Sequence, residues 1–503
     1  MFSDFHNYRK KFKYKQSTRK PLARISAACA AAFATVFVTI SAFSTTSLAA
    51  PDYKAEMEKR KTLEIQSNNT DDWPEGPAIG AQAAILLEVN TGTILYAKNI
   101  DEELYPASTT KILTCLLAAE NADMNDTVTF SYNAVHSVPR DGSNIGIDAG
   151  QSMSLEQCLY GIMVGSANEC ANAVAEHVAG SLEDFADLMN KRAKELGCTH
   201  SHFVNSNGLF NEDHYTSAHD LALIASAFFS NELLSSIGNT ARYHFTPTDT
   251  QPDDFYITNK HKLINGEISY DGILGGKTGY TAEARETLVT CAQRNGMKLV
   301  CVVLKEESPY QFTDTSTLFD YGFNNFQIVN VSDNDTYYIP EDTSFFSSEN
   351  DIFGYSGNVI EWNDDDSIIL PITASINDCT SSVSNDVSGQ PQGTIAVVNY
   401  SYNGVNVGSA RVMTSSSQTS FSFSNTKSDS EVGPNQSIYV NVKLIIIIVS
   451  AVAGSIIFIM NLSAFISSLH YAGNDPEERR RYKRRQKLLK QHKLTYKKPK
   501  KRK

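Results

Sequence analysis

The 503-residue chain is too long for one ordinary domain, and at about 150 residues each it accommodates two or three with appendages. Its formal charge of −12 is unevenly placed: residues 1–24 carry eight Lys/Arg against Asp4, a net +7, and residues 467–503 carry fifteen against Asp475, Glu477 and Glu478, a net +12, which leaves −31 for residues 25–466. A body that acidic argues against nucleic acid as a partner, and seven cysteines beyond the first apolar segment, without C-x-x-C spacing, argue against a zinc site or a disulfide framework.

From the N-terminus, the apolar run Ile25 to Phe43 follows Arg24 and leads to Ser47-Leu48-Ala49-Ala50, which suits a signal peptidase cutting after Ala49. Residues 1–49 therefore read as a signal peptide, with an uncleaved signal anchor as the alternative. Residues 50–77 are polar and read as a linker. Ala83 to Val89 and Thr93 to Ala97, joined by Asn90-Thr91-Gly92, predict a β-hairpin.

Tyr105-Pro106 breaks the chain before Ala107-Ser108-Thr109-Thr110-Lys111, and good helix formers continue to Glu120. Ser108 and Lys111, three apart on a helix, share a face, so the amine can act as a base on a nucleophilic hydroxyl. Ser154 to Gly180 predicts two helices interrupted at Val164-Gly165-Ser166-Ala167-Asn168, a tight loop that presents Ser166 and Asn168 together. Leu182 to Leu196 predicts an amphipathic helix capped by Ser181. Phe203 to Leu209 is a turn, and Leu221 to Phe229 another helix, capped by Ser217 or Asp220; His214 and His219 read as structural or surface residues.

After Gly275 to Thr281, the apolar runs Leu288 to Ala292 and Leu299 to Leu304, joined by an Asn295-Gly296 turn, predict a hairpin of two strands, with Lys277-Thr278-Gly279 on or just entering the first. That turn pairs Arg294 with Met297 and sets Cys291 opposite Val300, so Cys291 and Cys301 are not cross-strand partners. Lys277-Thr278-Gly279 is not a phosphate-binding loop, because Asp271 stands where its first glycine should be and no helix follows. After Phe323 the composition turns to Asp, Asn, Ser and Thr with short apolar runs at 336–339, 367–372, 394–400 and 405–412, which predicts a small all-β domain over 325–413. A Ser-rich stalk over 414–443 leads to Leu444–Ile466, 23 residues without a charge. At about 1.5 Å per residue that run is long enough to cross a membrane. The basic tail of 467–503 fixes its end in the cytoplasm.

Ser108-x-x-Lys111, Ser166-x-Asn168 and Lys277-Thr278-Gly279, in that order, are the three motifs of penicillin-recognising serine acyl-enzymes. The stretch from Ala81 to Phe323 resembles the D-alanyl-D-alanine carboxypeptidases, the low-molecular-weight penicillin-binding proteins: Tyr105 to Lys111 carries the family phrase whole, and Phe203-Val204-Asn205, Gly208-Leu209 and His214-Tyr215 echo a second signature. The resemblance implies an α+β, β-lactamase/transpeptidase-like catalytic domain over 78–324, an antiparallel sheet flanked by helices plus an all-helical subdomain. A small all-β domain and a C-terminal membrane attachment also fit the family.

By resemblance, Ser108 attacks the bond between two D-alanines in a peptidoglycan stem peptide, Lys111 takes the proton, and Ser166 relays one to the leaving amine. Asn168 holds the substrate amide, Lys277 and Thr278 meet the terminal carboxylate, and the N–H groups of Ser108 and Tyr280, the residue after Gly279, form the oxyanion hole. β-Lactams are implied as covalent inhibitors, no metal or organic cofactor is needed, and the location is the outer side of a bacterial cell membrane. The chain departs from the family at Ser206, where proline is usual, at Arg285, where glycine is frequent, and at Gln311, near where many members carry a carboxylate-binding arginine. Arg285 is expected to supply that missing charge. The alternatives are a class A β-lactamase, which needs a deacylating glutamate that Glu183, Glu195 and Glu212 do not supply in the matching setting, and a non-catalytic wall-binding protein.

Overall fold

The structure is a computed structural model that describes residues 52–335 and 360–414. The expected signal segment, membrane span, basic tail, stalk beyond Thr414 and strand over 336–339 lie outside the described residues. Among the described residues no single helix is long and apolar enough to cross a membrane.

A five-stranded antiparallel sheet forms the centre. In chain order its strands are β1 (Ala83–Glu88), β2 (Ile94–Lys98), β3 (Ile273–Thr281), β4 (Arg285–Arg294) and β5 (Met297–Glu306), in the spatial order β2-β1-β5-β4-β3. β1 is apolar almost throughout because both of its faces are buried. Alternate residues feed two cores: Ile85, Leu87, Val289, Val300 and Val302 meet the helical half, and Leu86, Leu288, Leu299 and Val303 meet the other side. The Asn295-Gly296 turn sets Arg294 opposite Met297 and Cys291 opposite Val300. Cys291 and Cys301 point into different cores, and all seven described cysteines are free thiols.

The helical half contains α1 (Lys111–Asn121), α2 (Leu155–Val164), α3 (Asn168–Ala179), α4 (Leu182–Glu195) and α5 (Ala218–Ser230). Ser181 and Ser217 cap the last two by accepting from Asp184 N at 3.0 Å and Asp220 N at 3.1 Å. α1 runs through the middle of this half, and its apolar residues Ile112, Leu113, Leu116 and Leu117 are buried among the others. On the opposite side of the sheet lies α6 (Tyr310–Asn325), which places Phe312, Leu318 and Phe319 on the second core. It runs into the strand Phe326–Asn330, the edge of a six-stranded sheet that also holds Ile360–Trp362, Ser367–Pro371, Thr380–Ser384, Thr394–Tyr402 and Val405–Thr414.

The stretch expected as a linker folds onto the rest. Tyr53–Arg60 is a helix capped by Asp52, and Met57 is 1% exposed. The Arg60 guanidinium donates to Gly80 O at 2.8 Å and pairs with Glu307 at 3.4 Å. Trp73 donates its indole N–H to Leu95 O at 3.0 Å and packs 5.0 Å from the Phe326 ring and 6.3 Å from Tyr402. Three anchors spread through a polar stretch leave no periodic signal, and each finds its partner far along the chain. Trp73→Ala should therefore cost about 3–5 kcal/mol of unfolding free energy, measured by denaturant titration, with Trp73→Phe recovering part of the loss.

Candidate active site

Pro106 fixes the chain ahead of the nucleophile, Ala107 takes the left-handed region at φ 49°, and Ala107–Thr110 forms one 3₁₀ turn before α1. Residues i and i+3 eclipse in a 3₁₀ turn, so Lys111 falls directly under Ser108. Two hydroxyls secure the turn: Thr109 Oγ1 donates to Pro106 O at 2.6 Å and Thr110 Oγ1 to Ala107 O at 2.9 Å. His214 supports it from behind. Val204 N–H donates to His214 Nδ1, which leaves Nε2 to donate to Thr110 Oγ1 at 2.9 Å, and burial holds this imidazole neutral with a pKa near about 3.

Lys111 Nζ lies within hydrogen-bond distance of Ser108 Oγ at 3.0 Å and donates to Asn168 Oδ1 at 2.7 Å and Asn207 O at 2.5 Å. α2 ends at Val164 and α3 begins at Asn168; between them Ser166 adopts φ 59°, a conformation costly for a residue with a side chain. That turn presents Ser166 Oγ to Lys277 Nζ, which donates to it at 3.0 Å and to Thr278 O at 2.8 Å. The motifs on α1, the α2–α3 loop and β3 therefore meet at one point. A cavity of about 750 Å³ opens there, with Ser108, Ser166, Asn168, Thr278, Gly279 and Tyr280 on its wall.

Both amines are buried, Lys111 at 0% and Lys277 at 2% exposure. Burial pushes the Lys111 pKa well below its ordinary value and the Lys277 cation lowers it further, against a smaller opposing pull from Glu169. Lys277 is itself lowered to about 7, by burial first and then by Lys260. A buried lysine that sheds its proton can serve as a general base toward the hydroxyl it touches.

Arg285 is not brought to this point. It is absent from the cavity wall, and its guanidinium is held by Glu307 at 2.6 Å and lies 3.8 Å over the Tyr53 ring. Ser206, the departure from the family turn, donates to Asn172 Oδ1 at 2.9 Å, and its carbonyl accepts from Thr114 Oγ1.

Sequence reasoning missed several contributors. Asn207 offers its carbonyl to Lys111, and Gly208, at φ 81°, lies so close to Ala107 O that a Cβ would sit 1.8 Å away. Lys260 reaches Ser143 Oγ at 3.0 Å on the cavity wall. The Asn-Gly pair was a readable turn signal, whereas Lys260 belongs to no motif.

Gly279 packs β3 against the Ser108 turn: a Cβ there would meet Thr287 Oγ1 at 2.3 Å, Ser108 N at 2.9 Å and Pro106 O at 3.0 Å. Gly279→Ala should push the Ser108 turn off the strand and slow acylation of Ser108 by a fluorescent β-lactam at least tenfold, about 1.4 kcal/mol of barrier. Stopped-flow measurement checks this; an unchanged rate would show that the close approach is dispensable.

Comparison with known proteins agrees with this geometry. Residues 69–308 match the family model described as D-alanyl-D-alanine carboxypeptidase. The chain is 36% identical over 253 residues to the D-alanyl-D-alanine carboxypeptidase DacF of Bacillus subtilis, covering 49% of this chain and 63% of that protein, less than two thirds of its length. It is 32% identical over 266 residues to DacB2 of Mycobacterium tuberculosis, also named a D-alanyl-D-alanine carboxypeptidase, covering 52% of this chain and 87% of that one. The crystal structure of penicillin binding protein 5 from Haemophilus influenzae shares the fold, with a TM-score of 0.53 at 24% identity over 68% of this chain and 98% of that one. With nearly the whole of a relative matched and the three motifs converging on one cavity, the chain belongs to the D-alanyl-D-alanine carboxypeptidase family.

Proposed function

We propose that the protein is a serine-type D-alanyl-D-alanine carboxypeptidase that removes the terminal D-alanine from peptidoglycan stem peptides. The observation that carries this reading is the buried Lys111 amine 3.0 Å from Ser108 Oγ. Ser108 Oγ attacks the carbonyl carbon of the penultimate D-alanine and passes its proton to Lys111. The oxyanion is met by the N–H groups of Ser108 and Tyr280, a reading supported by the close approach of Gly279, the residue before Tyr280, to Ser108 N. The C–N bond breaks as Ser166, hydrogen-bonded to Lys277, hands a proton to the leaving amine. Water then hydrolyses the ester and frees Ser108.

Asn168 orients the substrate amide, and Lys277 and Thr278 receive the terminal carboxylate in a charge-assisted contact. A β-lactam acylates Ser108 in the same way. Its leaving nitrogen stays tethered, which hinders the water. None of Glu183, Glu195 and Glu212 lines the cavity, so the rival β-lactamase reading has no support from those three carboxylates. The arrangement in the cell follows from the sequence: export by residues 1–49, catalysis outside the membrane, residues 325–413 as a small all-β domain, and an anchor at 444–466 with the basic tail in the cytoplasm.

Incubation with penicillin and with a peptide ending in D-Ala-D-Ala, followed by mass spectrometry, should give a covalent adduct on Ser108 and released D-alanine; an adduct elsewhere, or no D-alanine, contradicts the proposal. The pH profile is a second check. Lys111 accepts a proton only when neutral, so acidification through its depressed pKa removes the base. Lys277 holds a carboxylate only when charged, so raising pH through about 7 weakens that contact in the free enzyme. For a carboxylate-ended peptide kcat/KM should fall above about pH 7 while kcat does not, because the bound carboxylate keeps Lys277 protonated. A flat kcat/KM from pH 7 to 9 would assign the carboxylate contact to another group.

A further inference from the structure

One end of the cavity holds chemistry that the proposed hydrolysis does not use. The register sets Tyr280 opposite Glu286 and Thr278 opposite Leu288, so by alternation Thr278, Tyr280 and Glu286 share one face at the edge of the sheet. The first turn of α6 meets that face, where Gln311 Nε2 donates to Glu286 Oε2 at 3.1 Å. Both residues line the cavity, together with Thr281 and Ser308. Gln311 is 3% exposed, and its Oε1 has no hydrogen-bond partner among the described residues.

The charges around Glu286 do not neutralise it by direct contact. Arg285, the neighbouring cation, is bound by Glu307. Of the lysines on the cavity wall, Lys260 contacts Ser143 and Lys262 pairs with Glu267 at 3.4 Å. Burial raises the Glu286 carboxyl above its usual range, Arg285 draws it back, and Glu307 pushes it up again. This end of the cavity therefore offers acceptor oxygens that the carboxylate and methyl group of a leaving D-alanine do not use.

We propose that Glu286, held in place by Gln311, is a specificity-determining residue that lets the enzyme release, besides D-alanine, residues whose longer side chain ends in an N–H donor, an amine or a carboxamide, by accepting a hydrogen bond from that donor. The inference rests on the carboxypeptidase reading, which seats the leaving residue at the Thr278 end. An apolar leaving side chain long enough to reach Glu286 strips water from it and returns no hydrogen bond, the situation in which polar sites discriminate most strongly. Gln311 is a positioning residue: its amide fixes the rotamer of Glu286 and leaves the second carboxylate oxygen for the ligand.

The test uses the full-length protein and three acyl-D-alanyl peptides whose leaving residues have side chains of similar length: D-lysine, D-glutamine and D-norleucine. The readout is the ratio of kcat/KM values within each variant, so a general loss of folding or catalysis cancels. Wild type should favour D-lysine and D-glutamine over D-norleucine by tenfold or more. Glu286→Gln should lower the D-lysine ratio at least fivefold and keep most of the D-glutamine ratio, Glu286→Leu should abolish both preferences, and Gln311→Leu should reduce both. Ratios near one in wild type, or ratios unchanged in Glu286→Leu, overturn the inference. If wild type forms the Ser108 adduct with penicillin yet shows no donor preference, the specificity claim falls and the carboxypeptidase reading stands. Absence of both the adduct and any released residue overturns both.

Discussion

Two lysine amines buried at one site are the constraint on which the rest of this structure depends. A buried ammonium that loses its hydration costs several kcal/mol unless it is well partnered, and two of them side by side repel. The protein answers with acceptors that suit either protonation state: Ser108 Oγ, Asn168 Oδ1 and Asn207 O around Lys111, and Ser166 Oγ and Thr278 O around Lys277. Lys260 extends the row, depressing Lys277 as Lys277 depresses Lys111. The outcome is an amine poised to take a proton from the hydroxyl beside it.

The fold exists to hold that row. The 3₁₀ turn and the start of α1 deliver Ser108 and Lys111, the α2–α3 loop and the start of α3 deliver Ser166 and Asn168, and edge strand β3 delivers Lys277 with its backbone pressed against the Ser108 turn. Glu169, the residue after Asn168, accepts from Ile145 N at 2.7 Å and so ties the cavity-wall loop to α3.

Much of this site was legible in the sequence, because each motif is local and carries its own geometry. Ser108 and Lys111 were expected on an α-helix, and the 3₁₀ turn aligns them more directly than the α spacing does. The opposition of Cys291 and Val300 followed from a two-residue turn, which leaves a hairpin no freedom of register. What was not legible depends on partners distant in sequence. Arg285 sits four residues from Thr281 and was expected at the carboxylate, but Glu307 and the Tyr53 ring capture it, and nothing near residue 285 announces them. For the same reason the stretch carrying Met57, Arg60 and Trp73 read as a linker: its anchors are single residues, and their partners, Glu307, Leu95 and Phe326, lie elsewhere.

The central claim is that burial beside a second lysine holds the Lys111 amine well below its ordinary pKa. Nitrogen-15 NMR titration of protein labelled at the lysine side-chain amines, with the Lys111 resonance assigned through Lys111→Arg, tests this directly. The account predicts a Lys111 signal that leaves the ammonium position at a pH well below the ordinary lysine range. A signal that stays in the ammonium range until about pH 10, the ordinary value for an exposed lysine, would contradict it.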